Sequence, residues 1–223
     1  GATPIERSLG SGGLVGQLTA LGQSTCEGRA GLPEVARREP RIWIVEKREA
    51  ASTAVSMGVP IDVTRADDDY PALLVGSVYF GQHRQFAGRL MQKMRGDRGL
   101  NYGDYAYAEH FVQDGWSRFP RANTARRAQY FSIWLRPVPH DKAHFAIRMA
   151  VRELRDFVAR GMTAEEFGRI REFATQYFGL YLQTDSRRLG YAIDDRFYAL
   201  EDAGLARLRR SWATLTAADV NRA

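Results

Sequence analysis

The stretch Met94-Arg95-Gly96-Asp97-Arg98-Gly99-Leu100-Asn101-Tyr102 joins a helix to a strand. The apolar residues before it follow helical spacing, and residues 102–111 form a β-rich run. Such a junction can direct a guanidinium and a phenol at one point, as is needed to hold a peptide carbonyl that gains negative charge. Taken alone, however, these residues favour a structural interpretation in which Arg95 pairs with Asp97 or another nearby acid and Tyr102 packs in the sheet.

Strands are predicted at the front and middle of the chain, and helices in its last third. Strands are predicted at 41–47, 52–59, 102–111 and 129–136, of which the first two form an antiparallel hairpin. Helices are predicted at 67–80, 86–95, 141–160, from 163 onward, around 186–200 and 205–215, and from 216 onward. Capping boxes open the helices at Thr163 and Thr216. This order predicts an α+β fold, an antiparallel sheet with helices packed on one face.

The chain divides into a short leading segment and a longer folded part. Residues 1–40 are rich in Gly, Ser and Pro, which predicts a leader or linker, and residues 41–223 carry the periodic elements. No apolar run approaches the roughly 20 residues that span a bilayer, so no membrane partner is expected. Cys26 is the single cysteine, which excludes an internal disulfide and favours an inert thiol.

The net charge of +6 comes almost entirely from arginine. These arginines are scattered among acids, which favours salt-bridged helix faces over a nucleic-acid surface. The aromatic residues of two neighbouring strands could form a stacking platform for single-stranded nucleic acid, but a sheet core packed against helices is the favoured interpretation. We therefore predict no nucleic-acid partner. A basic nucleic-acid-binding domain is kept as an alternative.

A metal site is not predicted. His140 and His144 have the spacing of two zinc ligands on a helix, but Asp141 stands where the zincin motif needs Glu. Glu109-His110 is a second acid–imidazole pair, and two ligands do not make a site. The sequence also lacks phosphate-binding loops and the Gly-x-Ser-x-Gly nucleophile motif, so no cofactor is expected in this chain.

The run from Asp68 to Phe111 resembles the second half of the insulinase-like zinc metallopeptidases, the family of pitrilysin and the mitochondrial processing peptidase. In that family a short helix ends in Leu-Arg-Glu-x-x-Gly-Leu-x-Tyr. Gly96 departs from the pattern, where the family usually has Glu, and the matching residues are Arg95, Gly99, Leu100 and Tyr102. The strand at 52–60 and the capped segments at 161–166 and 215–220 also fit, so the resemblance extends over residues 40–223.

The resemblance implies different roles for two halves of one enzyme. Family members have two homologous α+β halves that close around an unfolded peptide, and one half binds zinc through His-x-x-Glu-His and a distal Glu. The other half lacks the metal and supplies the arginine and the tyrosine. By this resemblance, Arg95 and Tyr102 bind the scissile carbonyl or stabilise its oxyanion, and exposed edge strands bind substrate by strand addition.

Because His-x-x-Glu-His is absent from this chain, the resemblance implies that it is inactive alone. Its expected partners are an extended peptide and a homologous zinc-bearing half, either in the same polypeptide or in a separate subunit. The alternative is a non-enzymatic assembly or core subunit with the same fold, as in respiratory complexes. By analogy with the family, we expect a bacterial periplasmic or cell-envelope location.

Overall fold

The computed structural model describes residues 39–82, 87–109, 121–200 and 204–223. Its elements, in chain order, are β1 (Thr53–Ile61), α1 (Tyr70–Gly81), a π-helix (Met91–Gly96), β2 (Asp104–Ala108), β3 (Gln129–Val138), a 3-10 turn (His140–Lys142), α2 (Ala143–Arg160), α3 (Ala164–Tyr181), α4 (Asp185–Phe197), α5 (Gly204–Thr214) and α6 (Ala217–Arg222). The predictions made for residues 1–38, Cys26, Phe86 and His110 lie outside the described residues.

The sheet is antiparallel, and β3 lies in its centre between β1 and β2. Ile133 of β3 is opposite Met57 on one side and Ala106 on the other. One face of the sheet packs against α1, the π-helix and α2, where the buried residues include Phe80, Met94 and Met149. The predicted α+β class, an antiparallel sheet covered by helices, is therefore confirmed.

The opposite face of the sheet carries aromatic side chains. Tyr105 and Tyr107 are buried and pack with Met91, and Trp134 is partly buried beside them. The Trp134 indole N–H donates to the Ser132 hydroxyl over 2.9 Å. The two buried tyrosines fill the fold, as aromatic residues on a sheet commonly do, and their rings are not exposed for stacking with bases.

Helix α1 lies between two parts of the core, which explains why it is apolar around its whole circumference. On the side away from the sheet, it packs with α3, α5 and α6 through residues that include Val75, Phe178 and Val220. The indole N–H of Trp212, which is 1% exposed, donates to the Pro71 carbonyl over 3.1 Å. The helical last third of the chain therefore holds α1 in place behind the sheet.

Both predicted capping boxes are confirmed. Thr163 accepts a hydrogen bond from the Glu166 N–H, and the Glu166 carboxylate accepts one from the Thr163 N–H over 2.8 Å. The second Glu166 oxygen accepts from the Tyr79 hydroxyl over 2.8 Å, which ties the start of α3 to α1. Thr216 and Asp219 form the same arrangement at α6.

The predicted strand at 41–47 is wrong, and so is its hairpin with the next segment. Residues 41–47 have no strand conformation, and their side chains are exposed. A turn closed by the Ala50 N–H and the Lys47 carbonyl follows them. β1 pairs with β3 instead, because its apolar residues Val55 and Met57 find the helix-covered face there. Burial of that face decided the pairing, which local β-propensity does not reveal.

Candidate functional site

Arg95 lies in the last turn of the π-helix, and a left-handed glycine, Gly99, follows three residues after the helix ends at Gly96. The Asp97 N–H donates to the Gln92 carbonyl over 2.8 Å, which is the longer π-type spacing. The Gly99 N–H donates to the Arg95 carbonyl over 2.8 Å, and the Leu100 N–H donates to the Met94 carbonyl over 3.0 Å. Gly99 has φ of 59°, which turns the chain out of the helix. These overlapping hydrogen bonds fix the backbone at Arg95.

Arg95 and Tyr102 are in contact. The guanidinium carbon of Arg95 lies 4.3 Å from the centroid of the Tyr102 ring, which is a cation–π distance. Stacking engages the face of the guanidinium, whereas its N–H donors lie in the plane of the group. The Tyr102 side chain is 70% exposed. The two residues singled out in the sequence are therefore adjacent at the protein surface.

Tyr102 does not open a strand, contrary to the prediction. It lies in a bend, and β2 begins at Asp104. Asn101 and Gly103 account for the difference, because the Asn101 side-chain oxygen accepts from the Gly103 N–H over 3.0 Å and closes a local turn. Gly103 has φ of 136°, a conformation that strands of L-residues do not adopt. The turn lifts Tyr102 out of the sheet and leaves it exposed.

Charged side chains flank the pair. The Lys93 ammonium lies 2.8 Å from Asp97, and the Arg98 guanidinium lies 3.9 Å from the same carboxylate. The hydrogen bond from Lys93 lowers the pKa of Asp97. Arg98 also donates to the Lys93 carbonyl over 2.7 Å at the end of the helix. Three basic side chains and one acid thus lie in the segment 93–98, from which Arg95 contacts the exposed Tyr102.

Two positions after Tyr102, Asp104 supplies a buried carboxylate. Asp104 is 1% exposed, and its Oδ1 accepts from the Asn101 side-chain amide over 2.6 Å and from the Arg136 N–H over 2.9 Å. The Asn101 amide also donates to the Arg136 carbonyl over 3.1 Å. The other Asp104 oxygen, Oδ2, is buried and has no hydrogen-bond partner among the residues that the structure describes. Burial raises the pKa of Asp104 to about 6, against the two hydrogen bonds that lower it.

A second buried polar cluster is centred on Arg65, which precedes α1. Its guanidinium donates to Glu109 over 2.7 Å and to Asp194 over 2.6 Å. Glu109 also accepts from the buried Tyr70 hydroxyl over 3.0 Å, and Asp194 accepts from the Asn123 N–H over 2.9 Å. Burial raises the pKa of Glu109, and Arg65 acts against it. Sequence analysis missed this cluster, because its members are far apart in the chain and share no motif.

His140 is engaged in structural contacts. Its Nε2 lies 2.9 Å from the Ala50 carbonyl, and its Nδ1 lies 2.7 Å from the Thr53 hydroxyl. Both ring nitrogens therefore tie the 3-10 turn to the start of β1. Within the described ranges, no three His, Cys, Asp or Glu side chains come together in a cluster that could hold a metal ion.

The helices of the described part of the chain include none that is long and apolar enough to cross a membrane. The predicted periplasmic or cell-envelope location stays a prediction.

Solved structures share this fold. The peptidase M16 inactive domain from Pseudomonas fluorescens superposes with a TM-score of 0.60 at 21% identity, over 77% of this chain and 37% of that one. A protease from Helicobacter pylori gives a TM-score of 0.62 at 17% identity, over 80% of this chain and 38% of that one. The chain has the fold of an M16 peptidase inactive domain. The predicted resemblance to the metal-free insulinase-like half is thereby confirmed at the level of fold.

The same fold also occurs in a chain of a structure named as a complex. A chain of Complex III2 from Candida albicans superposes with a TM-score of 0.55 at 11% identity, over 78% of this chain and 39% of that one. No protein-family model matches the sequence. No curated protein matches it either. The chain spans well under half the length of these solved chains, each of which therefore contains more than this M16-like domain.

Proposed function

We propose that residues 41–223 form the metal-free half of a zinc metalloendopeptidase, which binds an extended peptide together with a zinc-bearing half. In this proposal, Arg95 and Tyr102 act on the scissile carbonyl. The observation that carries it is the 4.3 Å contact between the Arg95 guanidinium and the exposed Tyr102 ring. Two donors of different kinds are thereby presented together at the surface of an M16-type fold.

The chemistry of the two side chains suits a developing oxyanion. The guanidinium of an arginine offers several N–H donors in one plane, and the phenol of a tyrosine offers a single O–H donor. Donors held in place before the reaction stabilise charge that develops in the transition state, because no reorganisation is needed at that moment. The tight helix end at Gly99 and the turn at Gly103 hold both side chains on short, fixed segments.

The partner is expected to supply the metal and the attacking water. Zinc bound in the partner would polarise the carbonyl and activate the water. The residues of this chain would bind the peptide, orient its carbonyl and offer N–H and O–H donors to its oxygen. Whether the zinc-bearing half belongs to the same polypeptide or to a separate subunit makes no difference to these roles.

Reconstitution tests the proposal. The 223-residue chain is combined with its zinc-bearing half, and cleavage of a quenched fluorescent peptide library is followed with and without a zinc chelator. We expect chelator-sensitive cleavage that needs both halves. Arg95→Ala and Tyr102→Phe should each lower kcat by about 10²- to 10³-fold, the usual effect of removing one oxyanion donor.

Arg98→Ala is the matched control, since Arg98 is another arginine of the same turn and donates to a backbone carbonyl. It should change kcat by much less than Arg95→Ala. Wild-type kcat in both the Arg95 and Tyr102 variants would refute the assigned roles.

The alternative is a non-enzymatic assembly subunit, which the occurrence of this fold in a chain of Complex III2 supports. It predicts a stable complex with a partner subunit and no chelator-sensitive cleavage by that complex. Arg95→Ala and Tyr102→Phe would then leave assembly unchanged, so the same preparations distinguish the two functions.

A further inference from the structure

We propose that Asn101 and Asp104 are positioning residues that hold Tyr102 against Arg95. The consequence for catalysis rests on the proposed function, whereas the positioning itself is a property of this chain and can be measured without a partner. The inference starts from a contrast: Tyr102 is 70% exposed, but its near neighbour Asp104 is 1% exposed.

The first step is the anchoring of the turn on β3. The Arg136 N–H donates to Asp104 Oδ1 over 2.9 Å, and the Arg136 carbonyl accepts from the Asn101 side-chain amide over 3.1 Å. Arg136 immediately follows Leu135, which is opposite Asp104 in the ladder. The two side chains therefore satisfy both backbone groups of Arg136 and extend the β2–β3 pairing up to Tyr102.

The second step is the coupling of the two side chains to each other. The Asn101 side-chain amide nitrogen donates to Asp104 Oδ1 over 2.6 Å, and the Asn101 side-chain oxygen Oδ1 accepts from the Gly103 N–H over 3.0 Å. Tyr102 lies between these partners in the chain. Bonds on both sides of it restrict its backbone, although Tyr102 itself is largely exposed.

The third step is steric. A Cβ atom at Gly103 would lie 2.8 Å from the Met91 methyl group, so the turn passes directly over the π-helix that carries Arg95. The Arg95 side chain then meets the Tyr102 ring at 4.3 Å. Asn101 and the buried Asp104 thus fix the position of Tyr102, and the end of the π-helix fixes the position of Arg95.

A spectroscopic experiment tests the positioning. We expect the ring of Tyr102 to shift the NMR signal of the Arg95 Nε–H group upfield, because the guanidinium lies over the face of the ring. Tyr102→Leu defines the unshifted position in the full-length chain. We expect Asn101→Ala and Asp104→Ala to abolish most of the difference between wild type and Tyr102→Leu, and Asp104→Asn to retain it, because the Asn side-chain oxygen can still accept both hydrogen bonds.

Asp97→Ala is the control, because Asp97 lies in the same segment and pairs at the surface with Lys93. It should retain the shift. A full ring-current shift in a folded Asn101→Ala variant would overturn the proposal. Should Asp104→Ala fail to fold, Asn101→Ala and Asp104→Asn still decide the outcome.

Kinetics of the reconstituted enzyme separate this inference from the proposed function. Asn101→Ala should lower kcat about tenfold to a hundredfold with KM nearly unchanged, as expected for a displaced catalytic group. In a Tyr102→Phe background, Asn101→Ala should lower kcat only slightly further. If Tyr102→Phe leaves kcat unchanged, the proposed function fails, and the NMR result alone still decides whether Asn101 and Asp104 position Tyr102.

Discussion

Arg65 and Asp194 are separated by 129 positions in the chain, yet the guanidinium of Arg65 donates to the carboxylate of Asp194 over 2.6 Å. Arg65 also binds Glu109, and all three side chains are almost fully buried. Charges taken out of water are tolerated here because each carboxylate is paired and hydrogen-bonded. The cluster joins the segment before α1, the end of β2 and helix α4.

Arg65→Met should be strongly destabilising, because it leaves two buried carboxylates without their cation. Breaking a buried pair in this way typically costs about 3–5 kcal/mol. Denaturant unfolding followed by circular dichroism measures the free energy of unfolding. The matched control is Arg160→Met, whose pair with Asp156 has a similar distance of 2.7 Å but lies at the surface.

The control should lose about 0.5 kcal/mol or less, as exposed pairs spaced i, i+4 on a helix do. Equal losses in the two variants would show that burial of the Arg65 cluster contributes nothing to its effect.

Asp104 should make stability fall as pH rises. Its pKa is about 6 in the folded chain, above the ordinary 3.8, so the native state binds this proton more tightly than the unfolded state. Stability therefore decreases between about pH 4 and pH 6, by about 3 kcal/mol at 1.36 kcal/mol per pKa unit. Asp104→Asn should remove this loss. The free energy of unfolding of the variant, relative to that of wild type, should therefore increase with pH across that window.

Unfolding of both proteins at several pH values between 4 and 7 measures the difference. Asp97→Asn is the control of opposite sign, because Lys93 lowers the pKa of Asp97 and its contribution is lost as pH falls. A pH-independent gap between wild type and Asp104→Asn would contradict the expectation.

Two glycine-to-alanine substitutions should have opposite effects. Gly99 has φ of 59°, so alanine there should lower the free energy of unfolding by about 1–2 kcal/mol and disturb the backbone at Arg95. Gly168 lies inside α3, and a Cβ there would meet no atom within 4 Å. Gly168→Ala should stabilise the protein by up to about 1 kcal/mol. Thermal unfolding of the two variants checks both signs, and a stabilising Gly99→Ala would contradict the left-handed helix end.

The exposed segment at 41–47 should contribute little to stability. Trp43 is 81% exposed, and the apolar residues beside it are similarly open to solvent. Amides of this segment should exchange quickly with deuterium, while those of β3 around Ile133 stay protected. Ile44→Ser should change the free energy of unfolding by about 0.5 kcal/mol or less, whereas Ile133→Ala should cost about 2–5 kcal/mol. Slow deuterium exchange of the amides at 41–47 would instead support the strand that the sequence predicts there.

Elements with a local cause were predictable. The capping box at Thr163, the helix from Tyr70 and the strand from Gln129 each follow from residues close together in the chain. Strand pairing was not predictable in the same way, because the partner of β1 is chosen by which face is buried. The start of β2 was displaced for a local reason, since the turn formed by Asn101 and Gly103 overrode the β-propensity of Tyr102.

The amino-acid sequence by itself determined the α+β class, the helix ends and the placement of Arg95 and Tyr102 on opposite sides of one junction. These depend on periodicity, capping and turn chemistry, which act over a few residues. Only the tertiary structure decided that the guanidinium stacks on the phenol, that Asn101 and Asp104 anchor the turn on Arg136, and that Arg65 joins Glu109 to Asp194. The contacts of Asn101 and of Arg65 bring together groups distant in the chain, and burial selects them through the cost of an unpaired polar group.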